Sequence, residues 1–156
     1  MRIVSLQVNA NQLTLLGDNQ KVFSFEDNVN IVFSTKNSVG KTTLLRLLIY
    51  ALGYPIPSTR GIRFSDYETI LKVVGAKDEN FVLTRNRDYI EVLHNNEEKG
   101  YSLPVEQNEL HSLIYGITNL EVIDNLLGAF YLDQEKGWTL LNRGKAIGNI
   151  HFSIES

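Results

Sequence analysis

The sequence predicts an α/β fold in which a strand–loop–helix unit lies beside an antiparallel sheet. The apolar run Val29–Phe33 leads into a polar loop, and the almost continuously apolar segment Lys41–Leu52 follows that loop. Residues 1–26 and 67–103 contain stretches in which apolar and polar side chains alternate, which is the period of half-buried strands. With 156 residues, 43% of them hydrophobic, the chain has enough apolar material for one core.

The first elements of this fold are a β-hairpin and the strand–loop–helix unit. Alternation over residues 4–8 and again up to Phe25, around the turn signal Gly-Asp-Asn at 17–19, predicts two antiparallel strands. The nearly continuous apolar run Val29–Phe33 predicts a strand that is buried on both faces. Lys41–Leu52 is predicted to be a buried helix, with Gly53 as its C-terminal cap and Pro55 just beyond it.

The second half of the chain is predicted to begin with an antiparallel meander. Its strands are "ETILKVVG", "FVLTRNR", "YIEVLH" and "YSL", and the segments "AKDEN" and "NNEEKG" are predicted turns. Pro104 is placed to open a helix whose buried face carries Leu110, Leu113 and Ile114. Thr118 and Glu121 have the spacing of a capping box, and Leu126–Leu132 is a predicted strand. Alternation continues over residues 150–154 without a terminating signal, so we expect the architecture to continue beyond Ser156.

Composition excludes several classes of protein. The net charge of −3 creates no overall basic field for nucleic acid, so any DNA contact is expected from a local patch or a partner. The chain has no cysteine, which excludes disulfide scaffolds and cysteine-based zinc sites, and its three histidines are far apart and are interpreted as surface residues. No signal peptide is visible, and the longest apolar stretch, residues 44–52, is shorter than the roughly 20 residues that span a bilayer. We therefore expect a cytoplasmic, soluble protein without a membrane partner.

The polar loop between Phe33 and the predicted helix has the chemistry of a phosphate-binding loop. Such a loop joins a buried strand to a helix N-terminus, where backbone amides and the helix dipole favour an anion. Lys41 would neutralise the β and γ phosphates, Thr42 would ligate Mg²⁺ and Thr43 would bond the α phosphate. A Gly-Lys-Thr triplet also occurs by chance, but here an apolar strand signal precedes it and an apolar helix follows it. The predicted nucleotide-binding residues are Lys36, Asn37, Ser38, Val39, Gly40, Lys41, Thr42 and Thr43.

Thr35 stands where the phosphate loop usually has its first glycine. If the backbone there needs a positive φ, a β-branched residue is strained, and if it does not, threonine is tolerated. Two hypotheses therefore stay open. One is a working ATP site, and the other is a non-catalytic nucleotide-sensing or assembly module with a degenerate loop.

The stretch "TKNSVGKTTLLRLLIYALG" resembles the phosphate loop of ABC-type ATPase heads in structural-maintenance-of-chromosomes, RecF and RecN-like proteins. The resemblance includes Asn37 and the order of elements, which are a hairpin, the loop and helix, a β-meander, and a strand that ends in Gln. In that family this Gln opens the Q-loop and contacts Mg²⁺ and the attacking water, which implies that role for Gln134. The chain departs from the family pattern at Thr35, has "VNANQ" where many members carry an arginine, and contains no Gly-Gly pair for a signature motif.

The resemblance implies that residues 1–156 are the N-terminal half of a head that binds ATP and Mg²⁺. In the family the signature and Walker B motifs lie in a C-terminal half, beyond a long coiled coil. Hydrolysis would then need that half and a second head, with Lys41 and Gln134 as the catalytic residues contributed by this half. The implied setting is DNA repair, chromosome maintenance or defence against foreign DNA.

The segment "GAFYLDQE" has two further interpretations. It also fits a Walker B strand, in which Asp133 would hold Mg²⁺ through water and Glu135 would activate the nucleophile. It also fits a solvated turn after a strand. The Q-loop interpretation is preferred because no signature motif precedes Asp133.

Paired basic residues could make local contacts with DNA phosphates. They are Arg60 and Arg63, Arg85 and Arg87, and Arg143 and Lys145. The stronger interpretation of each pair is a solvated surface near a turn. The single tryptophan, Trp138, is expected to pack in a core or an interface.

Overall fold

A computed structural model describes residues 1–10, 20–33, 40–56 and 62–118. Within these ranges the chain is an α/β protein, as the sequence predicts, and it has six strands and two α-helices. A single 3-10 turn, Phe64–Asp66, precedes the third strand. The strands are β1 Arg2–Ala10, β2 Gln20–Ser24, β3 Tyr67–Val74, β4 Asn80–Asn86, β5 Tyr89–His94 and β6 Glu97–Ser102, and the helices are α1 Lys41–Ala51 and α2 Gln107–Tyr115.

The six strands form one antiparallel sheet in the order β2-β1-β3-β4-β5-β6. The predicted first hairpin is confirmed as the β1–β2 pair, and the predicted meander is confirmed as β3 to β6. The chain passes through α1 between β2 and β3, and β3 then pairs with the free side of β1. Helix α1 therefore belongs to the connection that joins the hairpin to the meander.

One face of the sheet carries the core. The register aligns buried side chains in rows across the strands, because residues opposite each other in antiparallel strands point to the same face. Both helices contribute to the same core cluster, with Leu48 from α1 and Leu110 from α2 among its members. One row is Leu6, Leu71, Leu83 and Val92, and the next is Thr69, Arg85, Ile90 and Tyr101.

Two boundaries in the meander differ from the prediction. The second turn consists of Asn95 and Asn96 alone, with φ of 51° and 63°. Two consecutive left-handed residues form the tight turn that matches the twist of a hairpin, so β6 begins at Glu97, inside the predicted turn. Pro104 does not open α2, which begins at Gln107 after a turn in which the Glu106 amide bonds the Ser102 carbonyl at 2.8 Å.

Helix α1 ends as the sequence predicts. Gly53 has a φ of 101°, which glycine adopts without strain. Its amide donates to the Tyr50 carbonyl at 2.9 Å, and the Tyr54 amide donates to the Ile49 carbonyl at 3.3 Å. This pair of bonds is a Schellman cap, which satisfies carbonyls that the helix itself leaves without donors.

The prediction of a buried strand at Val29–Phe33 is wrong for the described residues. The structure assigns no strand there, and Val29, Ile31 and Phe33 are 84%, 80% and 82% exposed. The Asn30 side chain accepts from the Glu26 amide at 2.8 Å and donates to the Glu26 carbonyl at 3.0 Å, which holds a local turn. A strand needs a neighbour for its backbone hydrogen bonds, and none of the described elements pairs with this segment.

Several predictions fall outside the described residues. They are the hairpin turn at 17–19, Thr35, the capping-box partner Glu121, the run Leu126–Leu132, Trp138 and the alternation over 150–154. In the part of the chain that is described, no helix is long and apolar enough to cross a membrane.

Candidate phosphate-binding site

The start of helix α1 carries the predicted Gly-Lys-Thr-Thr sequence. Gly40 is the N-cap residue, with φ 86° and ψ 8°, and its carbonyl accepts the first helical bond from the Leu44 amide at 2.9 Å. A Cβ on Gly40 would meet nothing within 4 Å. Glycine is therefore required here by its backbone angle and not by crowding, because L side chains rarely adopt this region.

The first turn of α1 suits an anion. It contains no acidic residue, and Gly40 supplies no side-chain cap. A helix has no internal acceptor for the amides of its first turn, and the helix dipole adds partial positive charge at this end. Lys41, Thr42 and Thr43 occupy this turn, and all three side chains are half-buried.

The structure places four of the predicted site residues together. Gly40, Lys41, Thr42 and Thr43 are contiguous at the N-terminus of α1. Lys36–Val39 and Gln134 lie outside the described residues. The helical half of the predicted strand–loop–helix unit is therefore confirmed, whereas its strand half is not.

Residues of these types could hold the phosphates of a magnesium-bound nucleoside triphosphate. The left-handed glycine, the first-turn amides and one lysine are the donors that a polyphosphate needs, and a threonine hydroxyl on that turn can ligate Mg²⁺. Within the described ranges, no group of three His, Asp or Glu side chains could hold a metal ion. Mg²⁺ is commonly held by few protein ligands plus substrate phosphates, so a threonine ligand is compatible with that chemistry.

A buried arginine holds the other end of α1. The guanidinium of Arg85, 4% exposed on β4, donates to the Tyr50 carbonyl and, at 3.0 Å, to the Tyr54 carbonyl. It also lies 3.7 Å from the centre of the Tyr50 ring. Burial lowers the pKa of Arg85, but an arginine keeps its charge in proteins, and a cation at a helix C-terminus is favoured by the dipole.

His111 holds the same helix end from a second direction. It lies on α2, is 2% exposed, and its Nε2 is 2.8 Å from the Leu52 carbonyl oxygen. A carbonyl can only accept, so Nε2 carries a proton in this contact. The ring packs against Tyr54, with ring centres 4.4 Å apart. Burial lowers the pKa of His111, the hydrogen bond to the Leu52 carbonyl raises it and the nearby Arg85 guanidinium lowers it, and the net change is from 6.5 to about 4, so the ring is neutral at pH 7.

Sequence reasoning missed both of these residues. Arg85 is interpreted above as a solvated surface residue or, less favoured, a DNA contact, yet it is buried and donates to a carbonyl just beyond the end of α1, so both interpretations are wrong for Arg85. His111 was interpreted as a surface histidine, which is also wrong. A signal for Arg85 was present, because it follows Phe81 and Leu83 at alternate positions and so shares their buried face. Arg63 remains exposed and pairs with Asp66 at 3.0 Å.

Comparison with known proteins identifies no family for this chain. No protein-family model matches the chain, and no curated protein sequence matches it significantly. The arguments for function therefore come from the residues and their arrangement.

Proposed function

We propose that the chain is the ATP-binding lobe of an ATPase similar to the structural-maintenance-of-chromosomes heads. The observation that carries the proposal is the junction at Gly40. A left-handed glycine is followed without interruption by a helix whose first three residues are Lys41, Thr42 and Thr43. In a phosphate loop, these are the residue types and the order that bind the phosphates and Mg²⁺.

Each residue at this junction has a proposed task. Lys41 neutralises the β and γ phosphates, and Thr42 ligates Mg²⁺, which supplies charge neutralisation when it is bound. Thr43 and the first-turn amides bind the remaining phosphate oxygens, together with the loop residues Lys36–Val39. Gln134 is proposed to orient the metal or the attacking water. Because phosphoryl transfer needs mainly positioning and charge neutralisation, these groups need no covalent chemistry of their own.

Hydrolysis is proposed to require more than this lobe. A C-terminal half of the head and a second head would supply the signature motif, for which this sequence has no Gly-Gly pair. They would also supply the Walker B groups, since the Q-loop interpretation of Gln134 is preferred for this chain. The proposed setting is DNA repair, chromosome maintenance or defence against foreign DNA. Contact with DNA through exposed basic residues such as Arg63 and Arg87 belongs to the same proposal.

A second candidate function is a non-catalytic nucleotide-sensing or assembly module. Two observations favour it: threonine replaces the first glycine at position 35, and Val29–Phe33 forms no strand before the loop. Both would weaken a loop that must hold its amides in one arrangement. The two candidates differ in whether the chain binds Mg-ATP through Lys41.

Isothermal titration of the full chain with Mg-ATP tests the proposal. We expect saturable binding that Lys41→Ala weakens about a hundredfold, because charge-assisted bonds to two phosphates contribute about 3 kcal/mol. Lys77→Ala is the matched control, since Lys77 is exposed in the β3–β4 turn, and it should bind as the unsubstituted chain does.

The outcomes separate the two candidates. Binding that is equal in Lys41→Ala and Lys77→Ala would show that nucleotide is held elsewhere. The module would be favoured if a chain with native circular dichroism showed no binding up to about 1 mM Mg-ATP. A dissociation constant of about 1 mM corresponds to about 4 kcal/mol of binding free energy.

A further inference from the structure

The segment Val29–Phe33 has the composition of a protein interior and the exposure of a surface. Its four apolar side chains include three that are at least 80% exposed, Val29, Ile31 and Phe33. These three occupy alternate positions, so in an extended chain they share one face. Exposed sheet edges usually carry charges, as β6 does at residues 97–99, but this segment has none. The pattern is therefore typical of a surface that is meant to be covered.

This segment is also anchored at a defined place. The two hydrogen bonds between Asn30 and Glu26 fix its start, and an ion pair joins Asp27 to Arg2 at the beginning of β1. The Phe25 amide donates to the Val4 carbonyl at 2.9 Å. The segment therefore leaves the sheet at the end where β1 begins.

Helix α2 ends at that same end of the sheet. Arg2 lies opposite Val74, the last residue of β3, so the β3–β4 turn and the start of β1 are neighbours. The end of α2 rests on that turn, because a Cβ on Gly75 would lie 3.1 Å from the Ile114 carbonyl oxygen and a Cβ on Gly116 would lie 3.4 Å from the Ala76 Cβ. The C-terminal end of α2, after which residues 119–156 follow, therefore lies about two or three strand spacings, roughly 10–15 Å, from the start of the exposed segment.

Residues 119–156 contain a segment of matching chemistry. Leu126–Leu132 is seven consecutive residues without a charge, five of them large apolar or aromatic, and it lies between Asp124 and Asp133. Leu126 is eight positions after Thr118, and eight residue steps of extended chain can span about 26–29 Å. It can therefore reach Val29–Phe33 without disturbing α2.

We propose that Val29–Phe33 is the docking site for Leu126–Leu132 of the same chain. Two uncharged, apolar segments would cover each other, and the backbone of each would gain a neighbour for hydrogen bonding. This inference does not depend on nucleotide binding, so it stands or falls separately from the proposed function.

Thiol protection in the full chain tests this docking. The chain contains no cysteine, so Val29→Cys and Val105→Cys each introduce a single thiol. The two valines are a matched pair, since they are 84% and 85% exposed among the described elements. If Leu126–Leu132 covers the segment, the thiol at position 29 should react with a small maleimide at least about tenfold more slowly than the thiol at position 105, because it reacts only during local opening.

A second substitution identifies the occupant. Phe130→Asp in the Val29→Cys chain should restore fast reaction, whereas Phe130→Leu, which keeps an apolar side chain, should preserve the protection. Equal reaction rates at positions 29 and 105 would overturn the proposal. Protection that depends on protein concentration would indicate that a second copy of the chain covers the segment. Protection that Phe130→Asp leaves unchanged would indicate that another segment of the chain covers it. Both results would also overturn the proposal.

Discussion

Acidification should destabilise the fold through His111. The neutral ring donates from Nε2 to the Leu52 carbonyl, and it is buried between α2 and the end of α1. A proton added at Nδ1 would place a charge in this interior, close to the guanidinium of Arg85. The folded state therefore resists protonation of a group that the unfolded chain protonates readily.

The size and sign of the effect follow from the two pKa values. An unfolded histidine binds a proton below its ordinary pKa of 6.5, whereas folded His111 binds one only near pH 4. The titration of His111 should therefore leave the free energy of unfolding unchanged above about pH 7. It should lower that free energy as the pH drops from 6.5 towards 4. The loss from this group should reach about 2 kcal/mol at pH 5 and about 3 kcal/mol below pH 4.

Urea unfolding at pH 8 and pH 5, followed by far-ultraviolet circular dichroism, measures this loss. The comparison variant is His111→Gln, which does not titrate and can still donate to the Leu52 carbonyl. Its stability at pH 8 is expected to be lower, but its decline between pH 8 and pH 5 should be about 2 kcal/mol smaller than that of the unsubstituted chain. All other titrating groups are common to both proteins. Equal declines in the two proteins would refute the reasoning.

Two further predictions concern the same helix end. Arg85→Met should lower the free energy of unfolding by about 3 kcal/mol in urea titrations, since it removes two buried charge-assisted hydrogen bonds to the Tyr50 and Tyr54 carbonyls. Met in place of the exposed Arg87 should cost less than about 1 kcal/mol. Gly53→Ala should lower the free energy of unfolding by about 2–3 kcal/mol, because the φ of Gly53 is 101° and the new Cβ would lie 3.1 Å from the Leu110 side chain. Gly116→Ala should lower it by only about 1 kcal/mol, because the φ of Gly116 is 67° but the new Cβ would make only ordinary contacts. Equal costs within either pair would contradict the assigned contacts.

Local patterns predicted the parts of the fold that local interactions determine. The alternation of residues 67–94 places β3, β4 and β5 correctly because each strand pairs with its neighbour in sequence. Gly53 could be recognised as a helix cap because its role depends on its own φ. The boundary errors at Asn95–Asn96 and at Pro104 arose where turn geometry, rather than hydrophobic pattern, decides where an element begins.

The features that sequence reasoning missed depend on contacts between distant segments. Arg85 and the Tyr50 carbonyl are 35 residues apart, and His111 and the Leu52 carbonyl are 59 residues apart, so neither contact leaves a local signature. Alternation along β4 indicates only that Arg85 shares the buried face, and not what it contacts. The wrong prediction of a strand at Val29–Phe33 has a different cause, because here the local signal was strong and the contact it needs was missing. Its composition predicts burial, but burial requires a partner, and none of the described elements supplies one.

The helix-end contacts also bear on the candidate site, because they determine what the N-terminus of α1 is attached to. With 11 residues the helix is about 16 Å long, and it is stiff over that length. Arg85 attaches its far end to β4, and His111 attaches it to α2. Lys41 and the first-turn amides are therefore positioned by contacts at the opposite end of the helix as well as by the loop before them. A polyphosphate site needs donors that are already in place, so in the proposed function the buried cation and the neutral histidine would position these donors without touching the ligand.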